Sequence, residues 1–456
     1  MHDKIAPDTR RALPAVNTVV GLVDPSDLPR PLVVHIIRQE LKRARTAAVS
    51  CSSHELVRNV QQRISELSRT RLQTVINGTG IIVHTNLGRA PLPIEAAEII
   101  RNIACSYTNL EQDLASGRRG RRGGYVDQAL ALLCRSEAAI VVNNCAAALV
   151  LMVHHFAKAN HEVLISRGEM VQIGGGFRLG DILRTAGAEL REVGATNQTT
   201  LEDYAREVSQ RTAFILKVHR SNFFMAGFVA SPDASELGEL ARKHKIPLIY
   251  DLGSGAVFDT RTDGLQEHEP TPAEALAQGA DLICFSGDKL LSGPQAGVIA
   301  GKKRLVEALK REPLFRALRC DKLILAGLQT TLDLHLSGGA PLPVRSFLQI
   351  TKDELRARAA TMLVRLRGLP MQVTIGRGDA QVGGGTLAQS AIPSVTLDIV
   401  PERCSVGDLA AELRRYTPPI ISYISGGAVK LDLRTVFPGQ DDIIIDALRQ
   451  ASTTSL

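Results

Sequence analysis

The stretch ICFSGDKLLSGPQAGVIAG, from Ile283 to Gly301, places a lysine between a buried strand and a run of small residues. The apolar residues that lead into it predict a strand covered on both faces. A lysine in a partly buried site has a depressed pKa and can form a Schiff base with a carbonyl group. The small residues around Lys289 would let a flat ring approach the backbone. A single lysine in a loop is usually a surface residue, so its function depends on what surrounds it.

The surroundings are strands that alternate with helices from about residue 76 onward. This alternation predicts an α/β fold with a parallel sheet and helices on both faces. In such a sheet, ligands bind beyond the carboxyl ends of the strands. The predicted strands are AAIVVNN, HEVLISR, RTAFILKVH, KIPLIYDLGSG and ADLICFSGDK.

Residues that could bind a cofactor follow two further predicted strands. After AAIVV, Asn144 is a plausible helix N-cap, and Cys145 and Ala146 begin a helix whose free N–H groups favour a phosphate. After IPLIY, Asp251 opens a glycine-rich turn. Its carboxylate could cap that turn or face a protonated ring nitrogen. The order of phosphate cradle, aspartate and lysine fits a pyridoxal 5′-phosphate enzyme of the aspartate-aminotransferase fold, fold type I.

Other classes are disfavoured by the sequence. It has no GxxxxGK[ST] and no GxGxxG, which argues against nucleotide hydrolysis and a dinucleotide cofactor. Seven scattered cysteines without a CxxC, and no HExxH, suit reduced thiols better than a metal site. No apolar run reaches the ~18 residues of a membrane span, and the first residues do not read as a secretory signal. We therefore expect a cytoplasmic protein without a metal.

Charge is concentrated near the N-terminus. The 456-residue chain carries a net charge of +7, and eight Lys or Arg stand against three Glu between Arg38 and Arg71. Apolar residues at helical spacing predict a helical pair there. This pair is either an ordinary solvated surface or a docking module for a phosphate backbone.

The change from a basic helical stretch to alternating strands and helices, and a second change near residue 340, indicate three domains. We predict a basic helical domain over residues 1–70, a large α/β domain over 71–340 and a small α+β domain over 341–456. Arginines in the large domain suggest a second anionic substrate besides the cofactor phosphate. These are Arg89 in a Gly/Pro loop, Arg119 among glycines, and Arg316 and Arg319, which share a face if that segment is helical.

Several stretches together resemble the bacterial selenocysteine synthases, the L-seryl-tRNA(Sec) selenium transferases. They lie in order between about residues 76 and 333. They include INGTGIIVHTNLGRAPL, NNCAAALVL, SRGEMVQIGGGFRLGDIL, KVHRSNFFMAGF, YDLGSG, FSGDKLLSGPQAGVIAG and LRCDKLILAGLQTTL.

The resemblance implies a mechanism. Lys289 would hold pyridoxal 5′-phosphate and move protons, Asp251 would keep the ring nitrogen protonated, and Asp288 would assist proton handling. Seryl-tRNA(Sec) would become selenocysteinyl-tRNA(Sec) through a cofactor-bound aminoacrylyl intermediate, with selenophosphate as selenium donor. Cys145 is a small departure that should leave phosphate binding by backbone N–H groups intact.

The resemblance also implies partners. Selenophosphate would be bound by Arg89, Arg316 and Arg319, with Arg119 nearby. The basic N-terminal domain would bind the tRNA. Members of the family form ring-like homo-oligomers, decamers built from dimers.

Two alternatives stay open. One is a related pyridoxal-phosphate lyase that acts on a small amino acid or an amino-sugar acid, although such relatives should lack the basic N-terminal domain. The other is a non-catalytic tRNA-binding protein, against which Asp251 and Lys289 argue.

Overall fold

The computed structural model describes residues 13–46, 51–263, 265–339 and 342–453. The chain divides into two compact units, Met1–Thr74 and Val75–Leu456. Most of the N-terminal stretch in which we found no secretory signal lies outside the described residues. Within the described part of the chain, no helix is long and apolar enough to cross a membrane.

The regular elements are numbered in chain order. The helices are α1 (Val16–Val20), α2 (Arg30–Thr46), α3 (Ser53–Arg69), α4 (Ile94–Ala104), α5 (Gly124–Leu133), α6 (Cys145–Phe156), α7 (Leu179–Thr185), α8 (Leu201–Glu207), α9 (Ala234–His244), α10 (Pro272–Ala277), α11 (Lys303–Lys310), α12 (Pro313–Leu318), α13 (Lys322–Ser337), α14 (Pro343–Gln349), α15 (Lys352–Arg365), α16 (Val406–Arg415) and α17 (Asp441–Thr453). The strands are β1 (Ile76–Asn77), β2 (Ala138–Val142), β3 (Glu162–Ser166), β4 (Gln172–Ile173), β5 (Phe177–Arg178), β6 (Glu189–Val193), β7 (Thr212–Val218), β8 (Leu248–Gly253), β9 (Leu282–Ser286), β10 (Gly297–Gly301), β11 (Met371–Gly383), β12 (Thr386–Pro401), β13 (Ile420–Ile421), β14 (Tyr423–Ser425) and β15 (Ala428–Asp432).

The first unit is built from α1, α2 and α3. Leu56, Val60 and Ile64 are buried along one stripe of α3, which confirms the helical spacing seen in the sequence. Ser52 begins this helix with a capping box that includes Glu55. The basic side chains of α2 and α3 are exposed, so this unit presents positive charge to solvent.

A seven-stranded sheet in the order β2-β10-β9-β8-β7-β3-β6 forms the centre of the second unit. Six strands share one direction, but β10 runs antiparallel to both β2 and β9. The five predicted strands are thus parallel, and β10, which the sequence did not lead us to predict, is the antiparallel member of this sheet. Only residues 287–296 join β9 to β10, which is too short for the helical crossover that parallel neighbours need.

Helices cover both faces of this sheet, as predicted. On β2, Ala139 and Val141 pack in the cluster that contains α5, α9 and α13. Ile140 and Val142 point the other way, into the cluster that contains α6, α7 and α11. The alternation buries both faces of the strands, which explains their continuous apolar sequence.

The C-terminal part contains an antiparallel sheet in the order β11-β12-β15-β14, packed against α15, α16 and α17. Its first two strands form a long hairpin of 13 and 16 residues. Glycines at the turn, Gly383, Gly384 and Gly385, all adopt positive φ. This hairpin lies within the part of the chain for which we predicted a small α+β domain.

The segment from Ile76 to Val83 pairs with the C-terminal part of the chain. Ile76 lies beside Ile420 in a parallel pair, and the Val83 N–H donates to the Val382 carbonyl at 2.7 Å. Our division of the sequence placed this segment in the large domain, yet Ile76 packs in the C-terminal core. A few residues after this segment, Arg89 pairs with Asp288, which follows β9 of the central sheet. This part of the chain therefore contacts both the C-terminal sheet and the loop after β9.

Candidate active site

Lys289 lies on a loop that is held by main-chain hydrogen bonds. The Gly287 N–H donates to the Ala296 carbonyl at 2.8 Å, which closes the loop between β9 and β10. The Leu290 N–H donates to the Ser254 carbonyl at 3.1 Å and ties the loop to the turn after β8. The strand end and these bonds together fix the backbone beneath the lysine.

Burial lowers the pKa of Lys289, and the nearby Arg89 guanidinium lowers it further. Cys145, Asp251 and Asp288 oppose this effect by favouring the charged ammonium. Because the burial effect is the largest, the neutral amine forms more easily than on a surface lysine. A neutral amine is what Schiff-base formation and proton abstraction require.

Asp251 sits at the end of β8 and is only 8% exposed. Its Oδ1 accepts the Gly253 N–H at 3.0 Å and lies 3.7 Å from the Cys145 thiol. Burial raises the pKa of this carboxyl, and Lys289 opposes that rise. The carboxylate thus caps its own turn and, because it also lines the cavity, can still meet a cationic ring nitrogen.

Helix α6 begins with the geometry of an anion cradle. The Asn144 side chain accepts the Ala147 N–H at 2.8 Å and caps the helix. The N–H groups of Cys145 and Ala146 have no partner within the helix, because the first turn leaves them free. A Cβ at Gly297 would lie 2.1 Å from the Asn144 carbonyl oxygen, so β10 can pack against this helix start only with a glycine there.

These groups meet in one cavity of about 1080 Å³. It is lined by six of the ten residues that the sequence predicted for the site: Arg89, Asn144, Cys145, Ala146, Asp251 and Lys289. An amine, a carboxyl and a helix N-terminus around one space fit the aldehyde, ring nitrogen and phosphate of pyridoxal 5′-phosphate.

Asp288 is buried and does not line the cavity itself, but it pairs with Arg89, which does. Its Oδ2 accepts a hydrogen bond from Arg89 Nη1 at 2.7 Å. Its Oδ1 has no hydrogen-bond partner among the described residues. Arg89 has a φ of 66°, a left-handed conformation that costs energy for a residue with a side chain. The ion pair thus holds Arg89 at the cavity and leaves one carboxylate oxygen available.

The other predicted arginines lie outside the cavity. Arg119 Nη2 is 2.6 Å from Glu111 Oε2, and Arg319 Nη1 is 3.3 Å from Glu111 Oε1. Arg316 is exposed on α12. Arg319 follows the end of α12 in an extended conformation and does not continue its helical face. Arg319 leaves the helical conformation because α13 begins directly afterwards, with Asp321 as its N-cap, and only a short link joins the two helices.

His219 is a site residue that our sequence analysis did not select. It follows β7, lines the cavity and donates its backbone N–H to the Asp251 carbonyl at 2.8 Å. Its Nε2 lies 3.2 Å from Oε2 of Glu269, which is 1% exposed. The buried carboxylate fixes the orientation of the imidazole. The rule that selected Asp251, a polar residue after a buried strand, would also have found His219.

One group among the described residues brings metal-ligand atoms together. The ligand atoms of Cys145, Asp251 and Cys284 lie within 4.8 Å of one another. Asp251 belongs to the predicted cofactor site, and the Cys145 thiol hydrogen-bonds to it. We therefore interpret the two thiols as part of the packing around this carboxyl.

The family model of L-seryl-tRNA selenium transferase matches residues 75–437. The chain belongs to this family. An L-seryl-tRNA(Sec) selenium transferase of Desulfovibrio desulfuricans is 41% identical over 97% of this chain and 97% of that protein. One of Geotalea daltonii is 41% identical over 91% of this chain and 92% of its own length. The resemblance noted in the sequence is thus confirmed.

A solved structure of D-glucosaminate-6-phosphate ammonia-lyase superposes with a TM-score of 0.58, at 20% identity, over 86% of this chain and 98% of the other. At this identity the likeness shows the fold alone. The predicted fold class, the pyridoxal-phosphate transferase fold of type I, is confirmed.

Proposed function

We propose that this chain is a pyridoxal-phosphate-dependent L-seryl-tRNA(Sec) selenium transferase that converts seryl-tRNA(Sec) to selenocysteinyl-tRNA(Sec). The observation that carries the proposal is the meeting of Lys289, Asp251 and the start of α6 in one cavity. Membership of the family supports the choice of substrate.

The chain's own groups would hold the cofactor at three points. The N–H groups of Cys145 and Ala146 would bind its phosphate, and Asp251 would face the ring nitrogen. Burial raises the pKa of Asp251 in the free protein, and a protonated ring nitrogen beside it would favour the carboxylate. When bound, pyridoxal 5′-phosphate supplies an electron sink for the bonding electrons at the serine Cα.

Lys289 would then act on protons at the substrate. Its depressed pKa makes a neutral amine available to take the Cα proton. The serine β-hydroxyl would take a proton and leave as water, and the selenium of selenophosphate would add to the Cβ that is left. The phosphoryl group of the donor would pass to water and leave as phosphate. The unpartnered Oδ1 of Asp288, next to the lysine, would accept or return a proton during these steps.

Arg89 is the arginine best placed to bind an anionic selenium donor, which we propose to be selenophosphate. It lines the cavity next to Lys289 and keeps further N–H donors besides the one that Asp288 accepts. Arg119 and Arg319 would contribute only after leaving Glu111, and Arg316 only if the substrate reaches α12. We retain all four as proposed donor-binding residues.

Assembly and location follow from the family by analogy. We propose a ring-like homo-oligomer, a decamer built from dimers, that works in the cytoplasm. Seryl-tRNA(Sec) is the macromolecular partner.

Selenium transfer itself tests the function. Cofactor-loaded protein with selenophosphate is expected to form selenocysteinyl-tRNA from seryl-tRNA(Sec) and little or none from seryl-tRNA(Ser), measured by radiolabelled selenium on the tRNA. A parallel reaction with free serine and free amino-sugar acids measures the alternative lyase activity. Product from the free substrates alone, with no selenium on tRNA, would overturn the proposal.

The first unit is expected to bind the tRNA backbone. Changing Arg38, Lys42, Arg45 and Arg58 to glutamine should weaken tRNA binding because each lost phosphate contact reduces counterion release. The slope of log K against log salt should fall by up to about four, roughly one per contact, in a filter-binding titration.

Four exposed arginines elsewhere provide a control that is matched in charge: Arg356, Arg367, Arg403 and Arg414. Their replacement by glutamine should leave both the affinity and the slope unchanged. Equal loss of binding in the two quadruple variants would mean that net charge, and not the first unit, attracts the tRNA.

A further inference from the structure

The cavity extends well beyond the groups assigned to the cofactor. Its volume of about 1080 Å³ exceeds the ~300–1,000 Å³ that hold a drug-sized ligand. Lys289, Asp251 and the start of α6 line one part of it. Phe177, Arg178 and Ile182, which belong to β5 and α7, line the same space. None of these three residues has been assigned to the cofactor or to proton transfer.

Phe177 is held with its ring open to solvent. Its side chain is 65% exposed, and it is the one phenyl or phenol ring among the residues that line the cavity. It follows the turn of the β4–β5 hairpin, where Gly175 and Gly176 have φ of 79° and 82°. A Cβ at Gly175 would lie 3.4 Å from ring atoms of Phe177, so the ring rests against this glycine. The turn thus supports an exposed aromatic surface at the cavity.

Arg178, the next residue in the chain, adds a positive charge to the lining of the same cavity. It is exposed, lines the cavity and forms no ion pair within the described ranges. Asp181 of α7, which also lines the cavity, is 3.4 Å from Arg184 and is thereby partly neutralised. An aromatic ring and an uncompensated guanidinium that line one cavity can together bind a base and its phosphate.

We propose that Phe177 and Arg178 form a subsite for the terminal adenosine of seryl-tRNA, with the base stacked on Phe177 and the phosphate bound by Arg178. The inference rests on the proposed function. In an aminoacyl-tRNA the serine is esterified directly to the terminal ribose, so the adenosine must lie beside the reacting serine. Stacking suits this position because it holds any tRNA by its common 3′ end, while the identity of the tRNA is read elsewhere.

Kinetics of the cofactor-loaded enzyme test the ring. Phe177→Leu keeps an apolar side chain but removes the aromatic face, and should raise the KM for seryl-tRNA(Sec) about 5- to 100-fold, as expected for the loss of one stacked base. The kcat should change little, and Phe177→Trp should restore the wild-type KM. Phe228→Leu, which removes a ring that is 87% exposed and does not line the cavity, is the matched control and should leave KM unchanged.

A spectroscopic measurement separates stacking from general damage. Seryl-tRNA that carries 2-aminopurine in place of its terminal adenine should lose fluorescence on binding the wild type, because stacking quenches this base. It should stay bright on Phe177→Leu at saturating enzyme. Arg178→Gln should weaken binding and lower its salt dependence by about one unit of slope while the quenching at saturation persists.

Three outcomes would overturn the inference. The first is an unchanged KM and equal quenching in Phe177→Leu, while the wild type transfers selenium normally. The second is a changed oligomeric mass in Phe177→Leu with an unaltered KM, which would place the ring in an interface between copies of the chain. The third is failure of Phe177→Trp to restore KM. A wild type that transfers no selenium would instead contradict the proposed function.

Discussion

Replacing Lys289 with alanine is expected to remove both the covalent attachment of the cofactor and the activity. The variant should lose the yellow colour of the lysine-bound cofactor, and selenium transfer should fall on the order of 10³-fold or more, because the group that moves the Cα proton is lost. Absorbance spectra and single-turnover transfer measure the two effects. Added methylamine should recover part of the activity by supplying a small free amine.

Two further variants make this result specific. Lys289→Arg keeps the positive charge but cannot supply a neutral amine, so it should be as inactive as the alanine variant. Lys243→Ala changes an exposed lysine on α9 and should behave as the wild type. Activity in Lys289→Arg would mean that charge alone matters at this position, which would contradict the assigned role.

Asp251→Asn is expected to keep the cofactor bound but to slow the reaction about 10²- to 10³-fold, the usual effect of losing one electrostatic stabiliser. Asparagine matches aspartate in shape, but it cannot supply the negative charge that keeps the ring nitrogen protonated. The decrease should appear in kcat, and the pH titration of the cofactor absorbance should shift. Stopped-flow rates and a spectral titration provide these measurements.

Asp263→Asn is a suitable control because Asp263 is also a buried aspartate, paired with Arg345 at 2.9 Å and absent from the cavity lining. It should lower the thermal stability without altering the cofactor spectrum. If both variants changed stability alone, Asp251 would be a structural residue and not a partner of the cofactor.

Five strands of the central sheet, β2, β3, β7, β8 and β9, were predictable because each is a largely apolar run that ends in a polar or glycine-rich turn. The edge strand β6, with the sequence ELREV, has no such run. The rule that ligands bind at carboxyl ends then brought Asn144, Asp251 and Lys289 to one place, and the cavity contains all three. Local sequence carried this information, since each residue lies at the end of its own strand or within three residues after it.

Long-range pairing was not predictable in the same way. The reversed direction of β10 depends on the short connection before it, and the pairing of Ile76 with Ile420 depends on where distant segments meet. The arginines show the same limit. Arg119 and Arg319 carry a suitable charge, but both pair with Glu111. The residues near Arg319 in the sequence give no indication of that contact.

The short link between β9 and β10 has a consequence for how this protein can change during evolution. Ser286 of β9 lies opposite Gly297 of β10 in the antiparallel pair. The loop of ten residues between them therefore begins and ends at fixed positions, and its length is constrained. One added or deleted residue would displace the lysine from the cavity and Gly297 from the helix start in a single event. The turn at Gly426 and Gly427, where a Cβ would meet nothing within 4 Å, has no such constraint. Descendants of this chain can therefore vary the length of that outer turn, whereas the lysine loop can change only by substitution.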